Sequence, residues 1–144
     1  MADNVAADLQ ASLVELLDLA LQGKQAHWNV VGPRFRSVHL ELDEIVASAH
    51  EAVDTVAERL SALERVPDGR AATVAGTSPL ETFPDGTVAD RQALTLIGAR
   101  VDILVSHLKE RIERCSADPV SQGILIAIEE AFAKHAWMLR VQLV

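Results

Sequence analysis

Tyrosine is absent from the 144 residues, and only three Phe and two Trp supply aromatic surface. Such a chain lacks the platforms on which many nucleic-acid modules stack bases. The single cysteine, Cys115, excludes a disulfide framework, a multi-cysteine zinc site and an iron–sulfur cluster, and suits a reducing compartment. Lys and Arg number 13 against 21 Asp and Glu, a formal charge of -8. That is the wrong sign for gripping a phosphate backbone and the right sign for concentrating cations. No apolar run reaches membrane-spanning length, and Met1-Ala2-Asp3-Asn4 lacks the basic opening of a signal peptide. The expectation is a soluble, cytoplasmic protein with no membrane partner, built as a single domain over residues 1–144 around one core.

Four long stretches carry helical periodicity. Val5, Leu9, Leu13, Leu16, Leu17, Ala20 and Leu21 recur at steps of three and four, which predicts a first helix from about Val5 to about Val31. Gly32-Pro33 ends it. A second helix is expected from near Arg34–Ser37 to Val66, where Pro67-Asp68-Gly69 stops it. Between Pro67 and Thr87 fall three of the five prolines and three of the seven glycines, so this is a long connection with one short helical turn near Ala72. A third long helix covers roughly Val88–Cys115. Asp118-Pro119 reads as an N-cap and a first-position proline opening a fourth that runs almost to Val144. At about 1.5 Å per residue the second helix is roughly 45 Å long, and an extended linker of some twenty residues can just run back along it. The second and third long helices then run parallel. An all-α four-helix bundle with one long crossover between helices two and three is the ferritin-like topology.

The residues that carry chemistry lie between Gly23 and Arg59. On the second helix at about 100° per residue, with His39 at zero, Asp43 falls near 40°, His50 near 20°, Asp54 near 60° and Glu58 near 100°. The apolar residues Val38, Leu42, Ile45, Ala49, Val53, Val56, Leu60 and Leu63 fall between about 240° and 320°, so the titratable stripe is not the core stripe. Ala47 and Ala57 lie within it, small enough to let another helix approach. Asp43 and Asp54 are about 16 Å apart along the axis, whereas metals sharing ligands sit about 3.5–4 Å apart, so one helix cannot make the site. Two copies crossing antiparallel about a two-fold axis near Ser48 would bring His39 and Asp43 of one subunit to Asp54 and Glu58 of the other, with His27 closing over the cluster. Two imidazoles and three carboxylates suit iron(II), manganese or zinc. The alternative stays open at this point, since an i, i+4 carboxylate pair is ordinarily solvated surface. None of the five histidines has Glu three residues before it, which removes the Glu-x-x-His pattern of a di-iron site built inside one bundle.

The run His27-Trp28-Asn29-Val30-Val31-Gly32, then Phe35, His39, Asp43, Asp54 and Ala57-Glu58-Arg59, resembles the signature of the Dps family, the DNA-binding proteins from starved cells or mini-ferritins. The order and intervals match that family's ferroxidase ligands, and the resemblance continues through Lys134-His135-Ala136-Trp137-Met138-Leu139. It implies a ferroxidase, an oxidoreductase of iron(II) that prefers hydrogen peroxide and protects against oxidative stress. It also implies a dodecameric iron-storage shell whose di-iron sites, with His27, His39, Asp43, Asp54 and Glu58 as ligands, lie across a two-fold dimer interface. Zinc or manganese would substitute at such N/O ligands.

Trp28 resembles the family's tryptophan beside the site, which orients a ligand or donates an electron to the oxidant; an interface aromatic is the equal alternative. Glu44 and Glu51 continue with Glu58 at seven-residue steps, on the side the resemblance turns toward the cavity, and are candidates for mineral nucleation or simply a solvated face. His50 lies between the two half-sites, while His107, His135 and Cys115 read as structural. Gly23 and Gly98 inside helices suggest close packing. Some family members bind DNA through a Lys-rich tail, but here the first lysine is Lys24, Asp3 and Asp8 precede it, and Val144 ends the chain at a helix. Direct DNA binding is therefore not expected, and a nucleoid-associated DNA-compacting protein is the alternative function. Members of the family it resembles usually carry an acidic residue near the three-fold pore where this chain has Gly123, which leaves Asp118 as the nearby carboxylate of any iron entry funnel.

Overall fold

The computed structural model describes residues 2–144. Its elements are α1 (Ala2–Asn29), β1 (Val30–Val31), α2 (Phe35–Ala62), α3 (Ala71–Thr77), β2 (Val88–Ala89), α4 (Asp90–Arg114) and α5 (Pro119–Val141). The four long helices expected from periodicity are α1, α2, α4 and α5, and the helical turn in the crossover is α3. Their apolar stripes meet in one core that includes Leu9, Leu13, Leu16 and Leu19 of α1 with Leu42, Ile45 and Leu60 of α2. Leu94, Ile97, Leu104 and Leu108 of α4 and Phe132 of α5 complete it. Asp118 caps α5 as expected, its carboxylate accepting from the Ser121 amide at 3.2 Å and the Ser121 hydroxyl at 2.7 Å.

Three helix boundaries differ from the periodic reading. α1 stops at Asn29 because Val30–Val31 leave it to pair with Val88–Ala89, which likewise moves the start of α4 to Asp90. α2 stops at Ala62 rather than Val66. Glu64 takes a left-handed φ of 61°, and the Leu63 and Arg65 amides close onto the Leu60 carbonyl. The bridge is parallel; β2 runs directly into α4, and β1 leads into α2 through the turn at residues 32–34. α2 and α4 therefore start side by side and run in the same direction, as the crossover requires.

The crossover, residues 63–89, is fastened to the bundle by side chains that bond backbone. Gln10 bonds both the carbonyl and the amide of Asp68, at 2.8 and 3.0 Å, and Gln22 donates to the Glu81 carbonyl at 2.8 Å. Arg100 donates to Gln22 and to the carbonyls of Glu81 and Thr82. Between α1 and α4, Glu15 is fully buried and held by Arg111 and His107, each at 2.7 Å. His107 is thus structural, with an acidic partner on another helix that spacing along its own helix could not reveal.

Of Gly23 and Gly98, the two helix glycines expected to mark close packing, only one does. A Cβ on Gly23 would sit 2.7 Å from Cγ2 of Val46, whereas one on Gly98 would lie 3.8 Å from Cβ of Leu139, an ordinary contact. The expectation of tight packing at Gly98 is corrected accordingly. Gly23→Ala is expected to destabilise the protein by about 1–3 kcal/mol through overpacking. Gly98→Ala should stabilise it by roughly 0.5–1 kcal/mol through helix propensity. Denaturant titration of the two variants reads both signs, and equal shifts would contradict the α1–α2 packing described.

Candidate metal centre

The α1–α2 hairpin places His27 in the last turn of α1 and His39 in the second turn of α2. Their rings stack with centroids 3.6 Å apart and planes 11° from parallel. Phe35 stacks on the outer face of His39 at 4.8 Å. Nδ1 of His27 bonds the His39 carbonyl at 2.6 Å, and Nδ1 of His39 bonds the His27 carbonyl at 2.6 Å. A carbonyl only accepts, so in both rings the proton of this bond is on Nδ1 and the neutral imidazole keeps its lone pair on Nε2. This crossed pair fixes both tautomers in the form a metal ligand needs, with the other nitrogen hydrogen-bonded.

Asp43 stands one turn beyond His39 and is ion-paired with Lys24 at 2.5 Å. The Lys24 hydrogen bond holds the Asp43 carboxyl below its usual range. A metal ion arriving at Asp43 must compete with this ammonium. Lys24 was not among the expected site residues, although its position three before His27 puts the two on one face of α1.

The remaining expected donors lie elsewhere on the surface. Asp54 and Glu58 are exposed on α2, as are Glu44, Glu51 and His50. Among the described residues of one chain, no three His, Cys, Asp or Glu side chains converge as a metal site. The same two helices expose apolar side chains, Leu21 and Trp28 on α1 with Phe35 and Leu40 on α2. Trp28 is 67% exposed beside the buried His27. His135 is half-buried and hydrogen-bonded to Ser48 at 2.8 Å, and burial lowers its pKa.

Asp118 is also accounted for. Besides capping α5 it accepts from Arg59 at 3.2 and 3.3 Å, and the Ser121 hydrogen bonds foremost hold its carboxyl below the usual range. It is engaged as a cap and an ion pair, not a free carboxylate beside Gly123.

A long-helix bundle with one crossover and a histidine–carboxylate half-site on its α1–α2 face defines a ferritin-like protein. Residues 6–144 match the ferritin-like domain family. The chain is 34% identical to the DNA protection during starvation protein of Mycolicibacterium smegmatis, over 99% of this chain and 78% of that one. It is 35% identical to the fine tangled pili major subunit of Haemophilus ducreyi, over 96% of this chain and 74% of that one. The structure of Dps from Microbacterium arborescens in the high iron form superposes with a TM-score of 0.93 at 33% identity, covering 99% of this chain and 93% of that one. The chain belongs to the Dps family of ferritin-like proteins.

Proposed function

We propose that this protein is a mini-ferritin that binds iron(II) at sites shared between two subunits, oxidises it with hydrogen peroxide, and stores the ferric product inside a dodecameric shell. The observation that carries this reading is the stacked pair of imidazoles. An imidazole binds a metal in its own plane, and two rings stacked with centroids 3.6 Å apart and planes 11° from parallel do not direct their lone pairs at one ion. His27 and His39 are therefore suited to two ions, spaced about as far apart as the 3.5–4 Å of bridged metal pairs.

Crossing two α2 helices antiparallel near Ser48 sets His39 opposite the partner's Glu58 and Asp43 opposite the partner's Asp54. The exposed Leu21, Trp28, Phe35 and Leu40 supply apolar surface for that contact. Each site then has two imidazoles and three carboxylates, and Lys24 leaves Asp43 as iron enters. Two iron(II) ions give one electron each to a peroxide, which takes up two protons and leaves as two waters. Holding the irons as a pair favours this two-electron reduction over release of a hydroxyl radical. Trp28, beside His27, is placed to lend an electron or to pack against the partner. Glu44 and Glu51, exposed on the neighbouring side of α2, are the proposed nucleation carboxylates. The relative described in a high iron form supports iron as the substrate.

DNA compaction is the second reading, prompted by curated relatives named DNA protection during starvation proteins. It is opposed by a formal charge of -8 on each chain. Native mass measurement before and after aerobic loading with iron(II) and peroxide tests the proposal. A dodecamer that gains hundreds of iron atoms is expected, and mixing it with DNA at physiological salt should leave the DNA free in a gel-shift. An assembly that gains no iron but shifts DNA would establish the second reading instead.

A further inference from the structure

We infer that Asp90 is a positioning residue of the metal centre: its carboxylate pins the α1–α2 turn to the start of α4 and so sets the registry of His27 against His39. This rests on the reading of the two imidazoles as metal ligands. The imidazoles sit on different helices, and their crossed bonds at 2.6 Å hold only for one axial position of α1 against α2. A slide by one residue is about 1.5 Å, which stretches and misaligns both bonds together. The only covalent control of that slide is the connection 30–34.

That connection is held from outside the hairpin. Val30 and Val31 pair with Val88 and Ala89, and the next residue of that segment is Asp90. Its Oδ2 accepts from the Arg34 amide at 2.8 Å, and its Oδ1 from the Arg91 amide at 2.7 Å. Arg34 is the N-cap of α2 and offers no side-chain cap of its own, so the carboxylate anchoring the entry to α2 comes from α4. Asp90 is buried to 8% exposure. Gly32, at a φ of 126°, makes room for it, because a Cβ there would lie 2.8 Å from Asp90 Oδ2. The Arg34 guanidinium is a weaker contact, 3.7 Å from Oδ1 and half exposed. The pin is thus the backbone amide of Arg34 rather than its charge.

The test uses the assembled, metal-free protein titrated with cobalt(II), whose visible absorption reports ligand geometry, with hydrogen exchange across residues 30–40 measured before cobalt is added. Asp90→Ala should weaken cobalt binding about tenfold, in the range seen when a ligand's supporting contacts are lost. It should also alter the absorption bands and speed exchange at Arg34–His39. Asp90→Asn, which keeps one acceptor oxygen, should fall between Asp90→Ala and wild type. Arg34→Met, which keeps the amide, should titrate as wild type. His39→Ala separates the two readings. If it binds cobalt as wild type does, the imidazoles are not the ligands and the inference falls with that reading. If it loses cobalt while Asp90→Ala binds unchanged, or if Arg34→Met weakens binding as much as Asp90→Ala, the pin alone is overturned. Should Asp90→Ala not assemble, unchanged binding and exchange in assembled Asp90→Asn overturns it equally.

Discussion

Asp54→Ala combined with Glu58→Ala is expected to abolish rapid iron(II) oxidation while the oligomer persists. Both side chains are exposed on α2, outside the buried set of Val38, Leu42, Ile45, Val46, Ala49, Ala52, Val56 and Leu60, so their removal leaves the core intact. In the proposed two-fold arrangement they would be the carboxylates each site receives from its partner. The double variant keeps His27, His39 and Asp43 in place, yet has lost the ligands that draw a second ion close to the first. Losing even the hydrogen-bonded support of a ligand costs about 10–100-fold, so losing two ligands should lower the initial rate by about a hundredfold or more. Stopped-flow absorbance with peroxide as oxidant gives the rate, and native mass gives the assembly. Oxidation at the wild-type rate in an intact oligomer would show that these carboxylates are not the site.

Zinc should silence the same centre. Imidazole and carboxylate donors without a thiolate do not refuse a redox-inert divalent ion, and at N/O sites zinc ordinarily outcompetes iron(II). Zinc has no accessible redox step, so an occupied site neither oxidises iron nor passes electrons to peroxide. Binding to the folded protein alone also adds stability by mass action. Titrating zinc against initial rate at fixed iron and peroxide should therefore give a loss proportional to occupancy, with assembly retained and the thermal midpoint unchanged or raised. A flat response through several equivalents per subunit would place oxidation elsewhere. Because Lys24 already neutralises Asp43 in the metal-free protein, Lys24→Met should shift the zinc curve to lower concentrations, which ties the inhibition to this cluster.

The four long helices were legible because each carries an apolar stripe long enough to have a period, and the crossover because Pro67, Pro79 and Pro84 cannot sit inside one. The two-residue bridge was not, since Val30–Val31 and Val88–Ala89 are too short for any pattern to distinguish them from helix ends. The early end of α2 was hidden for a different reason: Glu64 adopts a left-handed φ without the glycine that normally announces it. At the candidate site, helical angle was enough to put His39, Asp43, Asp54 and Glu58 on one stripe. It could not show that His27 and His39 fix each other's tautomers, nor that Lys24 already occupies Asp43, because those contacts join two helices. Asp90 left no signal near the histidines at all, since the residue it holds is 56 positions away.

That separation has a kinetic meaning. The α1–α2 and α4–α5 hairpins close over short connections, and contacts of low sequence separation can form early. The bridge and the Asp90 pin join one hairpin to the other and need residues 63–89 already folded back along the bundle, so the loop-closure entropy of the crossover has to be met first. Sealing the hairpins together is accordingly a late event on the folding route. On the role inferred for Asp90 the histidine registry is completed with it, so a nascent chain would carry its full complement of helix before the proposed half-site is set.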